Sequence, residues 1–367
     1  MNVFYYACSY AKVDYSKFMN ITARTALKLI PDPLKSHPVF LCIDDTMVSK
    51  FGKKFENVSK LFDHAAHDGS NYLNGHCFVS VMLCVPVLDH DKISYLSVPL
   101  GYCMWQKKES KLELAASMIR QVMPEFHSKE HVIILCDSWY TKKNLVSVID
   151  EYKNLDLIGN ARVDSVMYDL APARTGRRGR PAKHGKRLCL ETDFTFSKEK
   201  IGDYYTGVRR VLTKIFGSRE VLAYVTDTEK GNGTKRLFFS TIFPEDLKVF
   251  CTEEEHSSDQ ADPDPVNYIP LLLYAFRWKI EISYYEQKTF WSFCDYMVRS
   301  RKGIEMLVNL INISYCAMKI LPYQDKYFSE YRTKSVQEFR FELSQEIRKQ
   351  IFFATFVKNI ETHIKSN

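Results

Sequence analysis

Val39-Phe40-Leu41-Cys42-Ile43 runs straight into Asp44-Asp45-Thr46. Five consecutive apolar residues, short and bounded by polar ones, suit a buried strand. A second stretch of this kind, Val132-Ile133-Ile134-Leu135-Cys136, ends on Asp137. Between the two lie further strand candidates at Cys77 to Val87 and Ser94 to Trp105. Residues 109 to 124 carry apolar side chains at helical spacing and make an amphipathic helix. A helix from about Lys142 to Tyr152 and a strand from Leu155 to Asn160 follow. Residues 47 to 75 are polar, and the first 35 or so are aromatic-rich and mostly helical in pattern, ending near Pro31 and Pro33.

The resulting order is β-β-β-α-β-α-β, with carboxylates at the ends of the first and fourth strands. Three consecutive strands followed by αβαβ is the wiring of ribonuclease-H-like nucleotidyltransferase cores, whereas a doubly wound sheet alternates from its start. The expected fold is therefore α/β, a ribonuclease-H-like core interrupted by a β-rich insertion, with helical N- and C-terminal parts. In residue terms this predicts a helical segment over 1–36, the first part of the core over 37–161, and the insertion over 162–265. Core completion follows over 266–320 and a helical region over 321–367. The insertion holds a basic loop, strand-like pieces at Tyr204 to Ile215, Glu220 to Thr226 and Arg236 to Ile242, and an acidic linker from Glu253 to Pro265 with the composition of a loose loop.

A chain of 367 residues is long enough for a large core and for an insertion or a second domain. Its net charge of +7 permits a polyanionic partner without demonstrating one. The 10 cysteines form no Cys-x-x-Cys pair and sit mostly in apolar runs, which argues against a disulfide framework or a zinc site and for a reduced compartment. No signal peptide is visible, and the longest uncharged apolar run, Cys77 to Leu88, is too short to span a bilayer. A soluble intracellular protein is expected.

Leu271 to Lys288 contains no Gly or Pro and reads as helix. At 100° per residue, Tyr274, Arg277, Glu281 and Lys288 share an arc of about 60°. A phenol, a guanidinium, a carboxylate and an ammonium in one stripe do not build a core. They suit a surface that holds phosphates and a metal ion together. Glu286 falls off the stripe by the same count. An ordinary i,i+4 ion pair between Arg277 and Glu281 on a solvated face is the plainer alternative, and the two are compatible.

Asp44 or Asp45, Asp137 and Glu281 are three carboxylates that this topology can gather. Clustered acidic oxygens repel one another and normally hold hard cations; Mg²⁺ uses one or two carboxylates and completes its shell with water and substrate phosphate. Two such ions activate a water or 3′-hydroxyl and stabilise the leaving oxygen of an in-line phosphoryl displacement.

The spacing Tyr-x2-Arg-x3-Glu-x6-Lys at Tyr274, Arg277, Glu281 and Lys288 resembles the signature of bacterial insertion-sequence DDE transposases of the Tyr-Arg-Glu-Lys group. Ile43-Asp44-Asp45-Thr46 and Leu135-Cys136-Asp137-Ser138-Trp139-Tyr140 are similar to the same family, and the resemblance covers about residues 39 to 320. It implies that Asp44, Asp137 and Glu281 bind two Mg²⁺ ions, with Mn²⁺ as a substitute, and that Tyr274, Arg277 and Lys288 grip phosphates at the transposon end. Arg suits bidentate contact and Lys point-charge contact. The family's Asp-x-Thr pattern selects Asp44; Asp45 stays as the alternative, since strand alternation turns the two to opposite faces. The resemblance further implies double-stranded DNA partners (terminal inverted repeats and a target), a homodimer when two ends are synapsed, end processing through a hairpin, no membrane, and a bacterial cytoplasm with nucleoid association when bound.

The basic loop Arg174 to Arg187 is the clearest charge cluster. Its Arg178-Gly179-Arg180-Pro181 resembles the AT-hook, whose arginines enter a narrow A·T minor groove; a solvated loop is the alternative. Asp63-His64-Ala65-Ala66-His67-Asp68 invites a metal, but no third ligand follows at a familiar spacing, and a structural role is favoured. Trp139, Tyr284 and Tyr285 lie beside the motifs and suit either base stacking or core packing. Some 43 residues precede Asp44, fewer than the resembling family usually carries, so a truncated and catalytically silent DNA-binding remnant is one rival. A ribonuclease-H-like nuclease without strand transfer is the other.

Overall fold

The computed structural model describes residues 3–12, 14, 16–52, 54–63, 71–89, 92–173, 181–230, 233–250 and 265–366. Arg178 and Arg180, the histidines at 64 and 67, and all of the acidic linker but Pro265 lie outside the described residues.

The molecule is a mixed α/β protein built on one long sheet. Two N-terminal helices, α1 (Val3–Tyr10) and α2 (Ser16–Leu27), precede the central strand β1 (Val39–Ser49). One edge of β1 pairs antiparallel with β3 (Tyr72–Asp89), and the far edge of β3 carries β4 (Lys92–Met104) and the short β2 (Ser59–Phe62). The other edge of β1 pairs parallel with β5 (Val132–Cys136), and β5 pairs parallel with β6 (Leu155–Ala161). Helix α3 (Lys111–Val122), capped by the Ser110 hydroxyl, makes the crossover from β4 to β5. The return to β6 is shorter than its sequence suggests: α4 spans only Lys143–Val146 and then tightens into a 3₁₀ turn over Ser147–Glu151.

The β-rich segment after β6 extends the same sheet. β11 (Lys235–Ser240) lies antiparallel to β6, followed outward by β10 (Val221–Asp227), β9 (Tyr205–Thr213) and the two-residue β7 (Met167–Tyr168) and β8 (Arg187–Leu188). Then come α5 (Ile269–Leu273), α6 (Trp278–Phe290), α7 (Arg301–Gln324) and α8 (Val336–Ser366).

Alternation along the central strands sorts two cores. Val39, Leu41 and Ile43 face α2 and α3, while Phe40 and Cys42 face α5 and α6. Helix α7 is long and apolar enough to cross a membrane by length and composition, yet it closes the open edge of β4. Asn309 bridges the Tyr102 backbone, accepting from its N–H and donating to its carbonyl at 2.9 Å each. Asn312 donates to the Pro99 carbonyl at 2.9 Å, and Glu305 accepts from the Met104 N–H at 3.0 Å. A sheet edge that would otherwise present unpaired groups is thereby satisfied by side chains.

Two expectations need correction. β1 does not stop at Ile43 but runs on to Ser49, because β3 keeps pairing with it as far as Gly75 after β5 has turned away. Asp44 and Asp45 therefore lie within a strand. The segment carrying Tyr274 to Lys288 is also not one uniform helix: Tyr274–Arg277 is a 3₁₀ turn, and α6 begins at Trp278. In such a turn residues i and i+3 eclipse, so Tyr274 stays in line with Arg277, and its ring meets Phe238 of β11 edge-on, 4.9 Å between centroids.

Candidate active site

The parallel pairing of β1 with β5 ends at Ile43 and Cys136, so Asp44 and Asp137 are the next residues on each strand. Adjacent strands stand about 4.8 Å apart, which sets the two carboxylates side by side. They also share a face. Phe40 and Cys42 on β1, and Ile133 and Leu135 on β5, all belong to the core under α5 and α6, and the period of two carries Asp44 and Asp137 to that side. Asp137 also shapes the turn that frees it. Its Oδ1 accepts from the backbone N–H of Trp139 at 3.0 Å and of Tyr140 at 3.2 Å, and the Thr141 hydroxyl donates to its carbonyl at 3.0 Å.

Asp45 points the other way. It accepts from the Tyr140 hydroxyl at 2.9 Å, from Lys111 Nζ at 2.7 Å and from the Cys77 thiol at 3.2 Å. Those bonds make it an anchor for α3 and for the turn after β5. Tyr140 and Lys111 were not singled out in the sequence; the only signal was their adjacency to Asp137 and to the Ser110 cap.

Helix α6 crosses above Asp44 and Asp137. It is pinned by the Tyr284 hydroxyl, 2.6 Å from the hydroxyl of Ser80, which pairs with Asp44 across the sheet. Lys288 Nζ donates to the Met47 carbonyl at 2.9 Å. Arg277, at the start of this helix, is the hinge of the site. Its Nη1 lies 3.3 Å from Asp44 Oδ2, and its Nη2 donates to Glu281 Oε1 one turn on. The i,i+4 pair is thus present, and a second carboxylate from the sheet has joined it. Arg277 Nε is buried and finds no partner among the described residues. Glu286 turns away and accepts from the Tyr315 hydroxyl.

Burial dominates the electrostatics. It lifts the Asp44 carboxyl to about 7, with the Asp137 charge pushing the same way and Arg277 opposing. Burial also raises Asp137, against the pull of the Tyr140 N–H and Arg277. Desolvation works against the Arg277 cation, but Tyr274, Asp44 and Glu281 outweigh it and hold the guanidinium charged. Burial lowers Lys288 and raises the Tyr274 phenol.

The donor set is all oxygen, and two side-by-side carboxylates whose charges repel suit a hard divalent cation. Among the described residues, no three acidic, histidine or cysteine side chains group closely enough to hold an ion as they stand. The structure brings Asp44 and Asp137 together, and Arg277 stands between Asp44 and Glu281.

The profile of the DDE superfamily endonuclease family matches residues 7–211, more than half of the chain, and the chain belongs to that family. The match takes in Asp44 and Asp137 and stops before Glu281. It supports a nuclease function, and DDE-type nucleases generally work with divalent metal ions. Among solved structures, the chain is similar to the NurA nuclease from Sulfolobus solfataricus at 10% identity and a TM-score of 0.26, over 73% of this chain and 93% of that one. At that TM-score the match bears on neither fold nor site. None of the curated proteins compared with the chain matches it.

Proposed function

We propose that the protein is a DNA transposase that cuts and joins strands at the terminal inverted repeats of an insertion sequence. The observation that carries this reading is Arg277, which ties Glu281 on a helix 144 residues beyond Asp137 to Asp44 in the sheet. That contact supports a role for the third acid of the Tyr-Arg-Glu-Lys pattern alongside the first two. The strand order β4-β3-β1-β5-β6, with β3 antiparallel to both of its neighbours, supports a ribonuclease-H-like core.

Asp44 and Asp137 would hold the metal ions, joined by Glu281 once Arg277 lets it go. Bound there, Mg²⁺ would supply Lewis acidity and neutralise the phosphate undergoing displacement. Asp44 serves rather than Asp45, because Asp45 is consumed by Lys111 and Tyr140. Arg277 has a ready substitute for Asp44 in a DNA phosphate, which its planar fork also fits. Lys288 would make the same exchange, leaving the Met47 carbonyl for a phosphate. Tyr274 orients the guanidinium, whose carbon is 5.9 Å from the ring centroid. Duplex DNA, a dimer holding two ends, minor-groove contact by Arg178 and Arg180, and a cytoplasmic setting belong to the same proposal.

The family's endonuclease description favours a second reading, cleavage without joining. Incubation with Mg²⁺ and a labelled terminal-repeat duplex separates the two. Joined products uphold transposition, nicked products alone uphold the nuclease, and binding without cleavage overturns both.

A further inference from the structure

Two segments outside the carboxylate cluster converge on it. One is the turn Trp105-Gln-Lys107-Lys108 between β4 and α3; the other is Trp139 to Lys142, directly after Asp137. Lys111 stands where they meet, its Nζ 5.6 Å from the Trp105 ring centroid and 5.9 Å from that of Trp139. Lys142 Nζ lies 4.0 Å from the Trp139 centroid. The indole of Trp105 is fixed by its Nε1–H to the Glu109 carbonyl at 2.7 Å. Trp139 is 49% exposed, a high value for a side chain of that size, and its backbone is held by Asp137 itself. Lys107 and Lys108 are exposed at the rim.

Core packing does not account for these residues. Trp139 belongs to neither large core, and its ring contacts are cations on flexible stems. Interleaved aromatic rings and lysines are what single-stranded nucleic acid requires, with a base stacked on a ring and neighbouring phosphates met by ammonium groups. Duplex ends offer such bases where they fray.

We infer that Trp139, flanked by Lys142 and the lysines of the Trp105 turn, binds an unpaired base at the DNA end next to the scissile phosphate. A base entering against the indole replaces Lys142 over the ring and frees that ammonium for the adjoining phosphate. The backbone bond from Trp139 to Asp137 Oδ1 couples the stacked base to the carboxylate pair. This inference deepens the proposal that the site acts on DNA and rests on it, naming partly unpaired ends as the preferred substrate.

The test is equilibrium binding in EDTA, independent of any cleavage. The probes are a blunt duplex and the same duplex with a three-nucleotide unpaired tail bearing 2-aminopurine. The wild-type protein is expected to prefer the tailed duplex by roughly 5- to 100-fold and to quench the probe, the range one stacked base supplies. Trp139→Ala should erase the preference and the quenching, and Trp139→Tyr should restore most of both, which a purely structural loss would not do. Lys107→Ser with Lys108→Ser should flatten the salt dependence by about 0.7 per lysine. Equal binding of the two probes by the wild type, or a preference that survives in Trp139→Ala, overturns the inference. The outcome is independent of the nuclease reading, since the preference can stand without cleavage and cleavage can occur without the preference.

Discussion

Replacing Arg277 by Ala should destabilise the metal-free protein and at the same time make it more responsive to divalent cations. The guanidinium is 13% exposed and pairs with Asp44, 17% exposed, and Glu281, 33% exposed. Removing one partner from a buried ion pair costs about 3–5 kcal/mol. The Asp44 half falls near the lower figure, because a carboxyl already lifted to about 7 can take up a proton when its partner leaves. The more open Glu281 half adds less than about 1 kcal/mol. A loss of about 3 kcal/mol corresponds to a melting shift of roughly 6 °C for a large domain. Differential scanning fluorimetry in EDTA, then across a Ca²⁺ or Mg²⁺ titration, reads both effects without DNA. In the variant a cation no longer competes with the guanidinium, so saturating metal should return most of the lost stability; a hundredfold excess over Kd supplies about 2.7 kcal/mol. Arg277→Lys, which keeps charge without the fork, should fall between. An unchanged melting temperature in EDTA, or a metal response no larger than that of the wild type, would refute the claim that Arg277 occupies the place of a cation.

Three further outcomes follow from the same geometry. Asp45→Asn strips Lys111 of its partner and should cost about 3 kcal/mol in chemical denaturation, yet retain metal-dependent cleavage, which Asp44→Asn should lose. Gly159→Ala would set a Cβ 2.3 Å from Thr141 Oγ1 and 3.3 Å from Cys136 Sγ. Forcing back the hydroxyl that braces the Asp137 turn should cost about 1–3 kcal/mol and depress cleavage along with stability. His76 donates from Nε2 to the Glu56 carbonyl at 2.8 Å and accepts at Nδ1 from the Tyr296 hydroxyl at 2.6 Å. Burial and then the nearby Lys50 hold its pKa below 6.5. A base whose folded pKa is lowered favours folding while neutral, so its contribution is complete above the unfolded value of 6.5 and is lost as pH falls below it. Melting temperature should decline between pH 7 and 5, and less steeply in His76→Gln; parallel profiles would exclude His76.

Much of the central sheet was legible because buried strands announce themselves as uninterrupted apolar runs. Val132–Cys136 begins and ends where its sequence says. β1 outran its apolar stretch because the remaining ladder depends on β3, a partner no local pattern reveals. β2 escaped for a similar reason, being held by its neighbour rather than by propensity, whereas the helical turn after β5 lies where the sequence puts it and only its tightening into 3₁₀ geometry was not legible. The side-by-side placing of Asp44 and Asp137 could be anticipated from two strands ending on acids. The i,i+4 reach of Arg277 to Glu281 was equally local. Its contact with Asp44, 233 residues away, was not, nor was the engagement of Asp45 by Lys111 and Tyr140. Those contacts exist only once sheet and helix have packed. Periodicity also missed that Tyr274–Arg277 is a 3₁₀ turn, in which Tyr274 lines up with Arg277 more closely than an α-helical count gives.

On the function proposed here, Asp44, Asp137 and Glu281 act together on a DNA phosphate. Nicking of a labelled duplex in Mg²⁺ by Asp44→Asn, Asp137→Asn and Glu281→Gln, each first shown to bind DNA like the wild type, tests it directly. Losing a group that merely hydrogen-bonds to a metal ligand already costs about 10–100-fold, so each variant should cleave at least about a hundredfold more slowly. Wild-type cleavage by any one of them would rule out that joint action.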